Sequence, residues 1–442
     1  MSSLGTIRER IQRATGYFAR REGIVLTTFN LHGQFLEEQA LPAILAVEAT
    51  TAAARNAELH GQLAETACTV FYDPTVAPRV SGKFRYVARP VPLRGRLFHP
   101  KLVIIAGSAE DETTWVYLAV SSANLSLSGW GRNAESFAEA WIHTKTQQAW
   151  HGLDGLLAWL QTYANLGEGP DDRDAVAVVR ASLAHMPSGY RFRDDGAMPW
   201  SGTLYAHFYS SVVDTEGLPS FLRMDRSRRP AELWVYSPYW GSVPEMVRKF
   251  GATRTVLVPA MRADRKSLGL SKSQHDALGD IAEVRRSEAE RKDDRFRHMK
   301  AYWIRHGNRT YSAVGSCNFT EAGLAGKNGN VEAMLVFEDM DPDPDWPEAI
   351  DTADPEDLSQ QTVDEEEVPE PVPVTIVVGY DWRSDSWRWF LRADDSQTDF
   401  VLSLPTGLAL RITNGPDEQR AEPPDFPAHY RLTYTQHNQR RD

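Results

Sequence analysis

Two stretches of this chain carry the same set of chemically active residues in the same order. Each has a His-x-Lys pair, then a Ser-x-Asn pair, then a glutamate. The two sets are His99, Lys101, Ser122, Asn124 and Glu135, and His298, Lys300, Ser316, Asn318 and Glu332. Imidazole can act as a nucleophile or as a general acid and base, while ammonium and amide groups stabilise anionic oxygens. Two such sets in one chain predict a site for phosphoryl transfer.

The apolar runs between these residues predict strands that bring each set together. Side chains two positions apart on a strand share a face, so His99 and Lys101 point the same way, as do His298 and Lys300. An antiparallel hairpin then returns the chain and places Ser-x-Asn beside His-x-Lys. The two histidines are 199 residues apart, and a repeat of this length predicts two duplicated domains rather than a solenoid.

This pattern resembles the phospholipase D superfamily, whose motif reads H-x-K-(x)4-D-(x)n-G-S-x-N. The resemblance covers roughly residues 20 to 338. The Asp position of the motif holds Ala106 in the first set and Arg305 in the second. Loss of this Asp, with His, Lys and Asn retained, is similar to the tyrosyl-DNA phosphodiesterase branch. The string from Ser122 to Ser126, followed by Trp130, also resembles that branch.

The resemblance implies a role for each paired residue. One histidine attacks phosphorus and the other serves as acid and base; we favour His99 as the nucleophile, and the reverse assignment stays open because both orienting residues are Glu. Each orienting carboxylate would come from the opposite half. Glu332 would orient His99, Glu135 would orient His298, and the oxygens would be held by Lys101, Lys300, Asn124 and Asn318. The resemblance implies no metal ion and no cofactor.

Three further residues near the motifs have alternative interpretations. Ser122 and Ser316 either fix the turn after a strand or contact a substrate phosphate directly. Trp130 either packs in the interior or stacks on a base. Sequence alone leaves these alternatives open.

The net charge of −12 conceals an uneven distribution along the chain. Residues 338–370 hold 15 acidic residues and no Lys or Arg, and residues 371–442 hold 8 basic and 10 acidic residues. Residues 1–337 therefore carry a net charge of +5. A mildly basic region around the motifs is compatible with a polyanionic substrate.

The order of apolar patterns predicts an α/β protein with two phospholipase-D-like α-β-α sandwich halves related by a pseudo-twofold axis, plus a small C-terminal all-β domain. The expected divisions are a first half (1–165), a connector (166–200), a second half (201–338), an acidic flexible linker (339–373) and a β-sandwich or barrel (374–442). Within them, we expect helices over residues 4–21, Phe35–Ala54 and Ala175–Ala184.

These observations favour a metal-independent phosphodiesterase that acts on nucleic acid, with DNA favoured over RNA. One alternative is a lipid phosphodiesterase or transferase, for which residues 4–21 would be an amphipathic membrane helix. A second alternative is a binding or assembly subunit whose C-terminal β-domain recruits a protein partner. No apolar run is long enough to span a membrane, and residues 1–21 lack the core of a signal peptide, so we expect a cytoplasmic protein.

Overall fold

The structure is a computed structural model, and it describes most of the chain, including every residue of the two paired sets. The described residues are 6–75, 84–143, 149–164, 174–186, 188–189, 192–195, 203–223, 229–262, 267–287, 295–339, 350–353, 356, 358–359, 374–381, 386–393, 399–403, 409–412, 415–421, 431–436 and 439–441.

The strands are numbered in chain order. The first nine are β1 Arg20–Thr28, β2 Ala67–Tyr72, β3 Val87–Pro90, β4 Leu102–Ser108, β5 Thr114–Ser121, β6 Phe137–His143, β7 Ala149–Trp150, β8 Ser188–Gly189 and β9 Phe192–Asp195. The next ten are β10 Thr203–Ser210, β11 Glu232–Ser237, β12 Arg254–Pro259, β13 Leu268–Ser271, β14 Glu283–Ser287, β15 Ala301–His306, β16 Arg309–Gly315, β17 Ala333–Asp339, β18 Ile350–Thr352 and β19 Leu358–Ser359. The last seven are β20 Val374–Asp381, β21 Ser386–Ala393, β22 Asp399–Ser403, β23 Ala409–Ile412, β24 Gly415–Ala421, β25 Arg431–Gln436 and β26 Gln439–Arg441.

The helices are numbered separately. They are α1 Ile7–Thr15, α2 Gly33–Phe35, α3 Leu41–Ile44, α4 Ala52–Glu65, α5 His151–Ala164, α6 Ala175–Ala184, α7 Leu218–Leu222, α8 Val243–Phe250, α9 Lys272–Leu278 and α10 Glu321–Leu324. The described residues also include two π-helical turns, Leu36–Ala40 and Ser128–Arg132, and a 3-10 turn, Gly326–Asn328.

Two large mixed sheets dominate the structure, which confirms the expected α/β class. The first has the strand order β3-β2-β1-β4-β5-β6, and the second has the order β18-β14-β12-β11-β15-β16-β17-β10-β9. Six adjacent strands of the second sheet, β14-β12-β11-β15-β16-β17, follow the chain order and the pairing directions of the whole first sheet.

Strand β4 shows why the first sheet is apolar on both faces. Leu102, Ile104 and Ala106 point into a core that also contains residues of the second sheet, whereas Val103 and Ile105 point into the core beneath the N-terminal helices. Successive side chains of a strand face opposite ways, so a strand covered on both faces reads as a continuous apolar run.

The core between the sheets joins them directly. It contains Leu118 of β5 and Leu335 of β17, together with Leu156 of α5 and Val179 of α6. A separate core on the outer side of the second sheet contains residues of α7 and α8. This packing brings strands β5 and β6 against β16 and β17, and these are the strands next to the two Ser-x-Asn pairs and the two glutamates.

Two helix predictions are corrected by the structure. Residues 4–21 were expected to form one helix, but α1 covers only Ile7–Thr15, and β1 already begins at Arg20. The helix expected over Phe35–Ala54 ends at Ile44. Two residues later, Ala46 adopts a φ of 51° and interrupts the helical backbone. A new helix, α4, then begins after Thr51, whose hydroxyl accepts a hydrogen bond from the Ala54 amide and caps it. The helix Ala175–Ala184 is confirmed.

The acidic stretch expected to be a linker contains two short strands. β18 joins the second sheet by pairing antiparallel with β14, and β19 pairs in parallel with β13 in a separate two-stranded sheet. The prediction overlooked these short segments because acidic and proline residues surround them. Most of the stretch 339–373 lies outside the described residues. In the expected connector, β8 pairs with β7 and β9 pairs with β10.

The described residues after 373 lie in strands. β20, β21 and β24 form one sheet, and β22, β23, β25 and β26 form another. In the described part of the chain, no helix has the length and apolar composition needed to cross a membrane.

Candidate active site

Backbone pairing ties the segment before His99 to the second half of the sequence. The His99 amide donates to the Val331 carbonyl at 2.9 Å, and the Val331 amide donates to the Leu97 carbonyl at 2.8 Å. Two side chains also hold this segment: Leu97 N–H donates to Asn330 Oδ1 at 2.9 Å, and Phe98 N–H donates to Asp73 Oδ2 at 2.6 Å. This pairing places the residue after Val331, which is Glu332, beside His99.

The segment before His298 is held in the same way by the first half. The His298 amide donates to the Ala134 carbonyl at 3.0 Å, and the Ala134 amide donates to the Phe296 carbonyl at 2.9 Å. The residue after Ala134 is Glu135, which therefore lies beside His298. Each histidine segment is thus paired with the stretch that carries the other set's glutamate.

The structure contains the two His–Glu pairs that the family resemblance implied. His99 Nδ1 lies 2.9 Å and 3.0 Å from the two Glu332 oxygens, and His298 Nδ1 lies 3.1 Å from Glu135 Oε2. The histidine side chains are 8% and 14% exposed, and the glutamates are almost fully buried. A carboxylate can only accept a hydrogen bond, so Nδ1 of each ring carries the hydrogen and Nε2 is the nitrogen available for chemistry.

A buried serine supports each orienting glutamate. The Ser316 hydroxyl donates to Glu332 and accepts from the Ala333 amide at 3.0 Å. The Ser122 hydroxyl donates to Glu135 and accepts from the Ser136 amide at 2.9 Å. Both serines have no exposed surface. The structure therefore places both serines against the orienting glutamates.

The two lysines are buried and bond differently. Lys101 Nζ donates to the His99 carbonyl at 2.8 Å. Lys300 Nζ donates to the His298 carbonyl at 3.2 Å and also lies 2.7 Å from His298 Nε2. An ammonium group has no lone pair, so His298 Nε2 must accept this bond, and the arrangement requires a neutral His298 ring. The two half-sites are therefore similar in composition but not identical in hydrogen bonding.

A hydroxyl at the end of a central strand positions each asparagine segment, and sequence reasoning missed it. Thr28 Oγ1 donates to the Asn30 carbonyl at 2.8 Å and accepts from the Leu125 amide at 3.0 Å. Ser237 Oγ donates to the Tyr239 carbonyl at 2.8 Å and accepts from the Phe319 amide at 3.1 Å. The signal was available, since a Thr or Ser ends each of the strands β1 and β11.

The asparagines lie at the ends of strands β5 and β16. Asn124 accepts a hydrogen bond at its Oδ1 from the Asn30 amide at 3.3 Å, which fixes the orientation of the side-chain amide. Asn318 is 5% exposed. Its neighbour Cys317 accepts at its carbonyl from the Tyr302 hydroxyl at 3.0 Å. These contacts fix the segments from which both amides can donate to an anion.

Burial and neighbouring cations shift the pKa values of both histidines downward. Burial, followed by the charges of Lys101 and Lys300, holds the pKa of His99 well below its ordinary value of 6.5. Burial and Lys300 also lower the pKa of His298, against the opposing effect of Glu135. Burial alone would raise the pKa of Glu135, but His298 and Lys300 outweigh it and the net shift is downward. His298 also contributes to the lowered pKa of His99.

Aromatic rings flank the histidines. Phe29 stands edge-on to His99 with ring centres 5.5 Å apart, and Tyr239 stands edge-on to His298 at 6.1 Å. Phe296 is tilted against His298, also at 6.1 Å. Trp130 is 5% exposed and packs edge-on against Phe35 at 5.7 Å. The structure therefore places Trp130 in the interior, which is the packing alternative.

The residues at the motif's Asp position lie outside this site's hydrogen bonds. Ala106 is fully buried in the core between the sheets, and Arg305 Nη2 pairs with Glu232 at 2.9 Å. Within the described ranges, no group of three His, Cys, Asp or Glu side chains is arranged to hold a metal ion. A cavity of about 510 Å³ elsewhere, lined by residues such as His207, Asp214 and Phe221, contains none of the paired residues.

A scan against protein-family models and a search of curated proteins found no match to this chain.

Proposed function

We propose that this protein is a metal-independent phosphodiesterase that cleaves nucleic acid through a covalent phosphohistidine intermediate. The observation that carries the proposal is the reciprocal pairing of the two histidines, each oriented by a glutamate from the other half of the sequence. A structural core has little need for two buried imidazole–carboxylate pairs beside two buried ammonium groups, because buried charges are costly unless they are paired.

The fold supports a finer interpretation of the same proposal. We propose that the six strands shared in order by the two sheets are the sheets of two phospholipase-D-like halves, and that a pseudo-twofold axis relates those halves; the strand order and the exchanged His and Glu segments support this. On this view, the strands β20 to β26 form a separate small β-domain. Such a domain would bind a protein partner, and the paired residues of the two large sheets would carry out the reaction.

In the first step, the Nε2 lone pair of His99 attacks phosphorus, and the bond from phosphorus to the leaving oxygen breaks. A protonated His298 donates its Nε2 proton to that oxygen. In the second step, His298 takes a proton from water, the water oxygen bonds to phosphorus, and the phosphorus–Nε2 bond breaks. The product is a phosphate monoester, and both histidines return to their original state.

The remaining residues supply orientation and charge. Glu332 and Glu135 fix the tautomers of His99 and His298, so that Nε2 of each ring faces the phosphate. Lys101, Lys300 and the two asparagines would bind the non-bridging oxygens, whose negative charge grows in the transition state. A phosphate in the site would compete with His298 for the Lys300 ammonium, and loss of that contact would let His298 accept its proton.

Nucleic acid is favoured over lipid by charge and by the packing of α1. Residues 1–337 have a net charge of +5. Helix α1, which the lipid alternative would insert into a membrane, buries Ile11 and Ala14 in the core beneath the first sheet. Its apolar face is therefore already covered by protein, and membrane binding through it would require the helix to detach.

The test is a multi-turnover assay on single-stranded DNA, duplex DNA, RNA and a short-chain phospholipid. His99→Ala should abolish turnover, and His185→Ala, at an exposed position after α6, should leave it intact. Turnover of phospholipid alone would favour the lipid alternative. Equal, negligible rates for wild type and His99→Ala on all four substrates would favour an assembly subunit and refute the proposal.

A further inference from the structure

The segment that leads into each catalytic histidine carries two arginines. Arg94 and Arg96 precede His99, and Arg295 and Arg297 precede His298. Consecutive Cα atoms are about 3.8 Å apart, so the Cα atom of each arginine lies at most about 20 Å from that of its histidine. Residues 92–98 contain no acidic residue, whereas Asp293 and Asp294 directly precede Arg295 in the sequence.

The stretch paired with each segment adds a third basic residue. Lys327 lies beside Arg96, whose Nη1 donates to the Lys327 carbonyl at 2.8 Å. Arg132 lies two residues before Ala134, which pairs with Arg297. We call Arg94, Arg96 and Lys327 the His99 edge, and Arg132, Arg295 and Arg297 the His298 edge. Each edge combines residues from both halves of the sequence, as the His–Glu pairs do.

Five of the six basic residues in these edges differ in their ion pairing from other arginines in the protein. Arg254, Arg285 and Arg305 are neutralised by Glu232 or Glu283. By contrast, no carboxylate in the described part of the chain forms an ion pair with Arg94, Arg96, Lys327, Arg132 or Arg297. Arg94, Lys327 and Arg132 are exposed, and Nε of Arg297 is shielded from solvent with no hydrogen-bond partner among the described residues. The Arg297 guanidinium, next to His298, can therefore donate charge-assisted hydrogen bonds to an anion.

We propose that the two edges bind the phosphates on either side of the scissile one, so that the substrate is an internal phosphodiester of a single-stranded nucleic acid. This inference rests on the proposed phosphodiesterase function. A phosphate between the two histidines has one edge on each side, and a nucleic acid strand supplies a neighbouring phosphate in both directions. A phospholipid supplies neither neighbour.

A single strand fits the site better than a duplex. The catalytic imidazoles are at most 14% exposed, so the scissile phosphate must enter between the edges rather than touch a flat surface. The half-buried rings of Tyr239 and Phe296 beside His298 offer surfaces for an unstacked base. Large exposed apolar side chains in the described chain are Tyr17, Leu127, Tyr205 and Ile281, which lie in four separate segments and do not make a membrane-binding patch.

The test compares paired charge-removing variants on three substrates. Arg96→Gln/Lys327→Gln removes charge from the His99 edge, and Arg132→Gln/Arg297→Gln removes it from the His298 edge. Arg248→Gln/Lys249→Gln, on the exposed face of α8, is the matched control. The substrates are an oligodeoxynucleotide cleaved internally, the same oligonucleotide ending in a 3′-nitrophenyl phosphate ester, and bis(nitrophenyl) phosphate. The readout is kcat/KM on each oligonucleotide divided by kcat/KM on the aryl diester, which corrects for any damage to the site itself.

For internal cleavage, we expect each edge variant to lower this ratio at least tenfold and the control to leave it unchanged. The logarithmic salt dependence of kcat/KM should become shallower by about 0.7, because each edge variant removes one phosphate contact, and a phosphate contact to a single strand contributes about 0.7. The terminal aryl ester has nucleic acid on one side only, so one edge variant should lower its ratio and the other should not.

Three results would overturn the inference. In the first, the ratio for internal cleavage stays at the wild-type value in both edge variants. In the second, both edge variants lower the ratio for the terminal ester by the same factor. The variants could also lose binding to phosphatidylserine vesicles while oligonucleotide cleavage is retained, which would assign the edges to a membrane. Failure of the parent function would look different, because wild type and His99→Ala would then be equally inactive on bis(nitrophenyl) phosphate.

Discussion

His99 Nδ1 lies 2.9 Å from Glu332 Oε1, although 233 residues separate them in the chain. The contact depends on the parallel backbone pairing of Phe98 with Val331, which fixes the register of the two segments. The equivalent pair, His298 and Glu135, depends on the pairing of Arg297 with Ala134. Neither half of the sequence can orient its own histidine, so the site requires both halves to fold together.

The first prediction is that Glu332→Gln lowers kcat by about 10²–10⁴-fold with little loss of stability. The amide keeps the shape of the side chain, but it no longer favours the tautomer that leaves His99 Nε2 unprotonated. Glu338→Gln is the matched control, because Glu338 forms a 2.8 Å pair with His207 away from the site. Steady-state kinetics would measure the effect, and an equal loss in the two variants would contradict an orienting role for Glu332.

Much of this site could be predicted from the sequence. The His-x-Lys and Ser-x-Asn pairs are local patterns, and the strands between them are uniform apolar runs, as in β4. Such patterns show which residues share a face of a strand. The assignment of Glu332 to His99 required more than these patterns, since it depends on packing between sheets, and it came only from a family resemblance.

Other parts of the site could not be predicted, because they depend on tertiary contacts. The support of Glu332 by Ser316 depends on the position of β17 relative to the end of β16. The contact of Asp73 with the Phe98 amide joins segments 25 residues apart. The break after Ile44 was missed because the apolar helical pattern continues through it, whereas the backbone turns at Ala46.

The second prediction concerns Ser316, which supports Glu332. Ser316→Ala should lower the free energy of unfolding by about 1–3 kcal/mol, because it leaves the buried Ala333 amide without its acceptor. It should also lower kcat, since Glu332 loses a donor that fixes its position. Ser182→Ala is the control: this buried hydroxyl of α6 only bonds back to the Val178 carbonyl. Chemical denaturation would compare them, and a Ser316 variant as stable as the control would contradict the prediction.

The third prediction is that activity survives chelation. Lys101 and Lys300 place two positive charges within the site, and these can take the role that divalent cations serve in many phosphoryl-transfer enzymes. Incubation with EDTA should therefore leave kcat/KM unchanged. Loss of activity that magnesium restores would point to a metal-dependent mechanism.

The fourth prediction concerns pH. His99 must be neutral to attack, so the rate falls as pH drops below its pKa, which lies well below 6.5. His298 must be protonated to act as the acid, so the rate falls as pH rises above its pKa, which is also lowered from 6.5. The kcat/KM profile for a substrate with an alkyl leaving group should therefore be bell-shaped, with its maximum below pH 6.5. A maximum above pH 7.5 would contradict it.

The position of the alkaline limb of this pH profile should depend on Lys300. Lys300 Nζ contacts His298 Nε2 and is, after burial, the largest cause of the lowered pKa of His298. Lys300→Met should move the alkaline limb to higher pH, whatever it does to the maximal rate. Lys249→Met, on the exposed face of α8, should leave the limb in place.

The last prediction concerns which histidine is the nucleophile. If His99 attacks, a phosphoryl group stays on its Nε2 until His298 activates water. His298→Ala should then accumulate this adduct on a nitrophenyl or tyrosyl ester, whose leaving group departs without a proton, and His99→Ala should form none. Rapid denaturation and mass spectrometry of the peptide from Phe98 to Lys101 would locate it. An adduct on His298 in the His99→Ala variant would reverse the two roles. Turnover by wild type with no adduct in either variant would argue against the covalent route, because both histidines present an oriented Nε2 to the site.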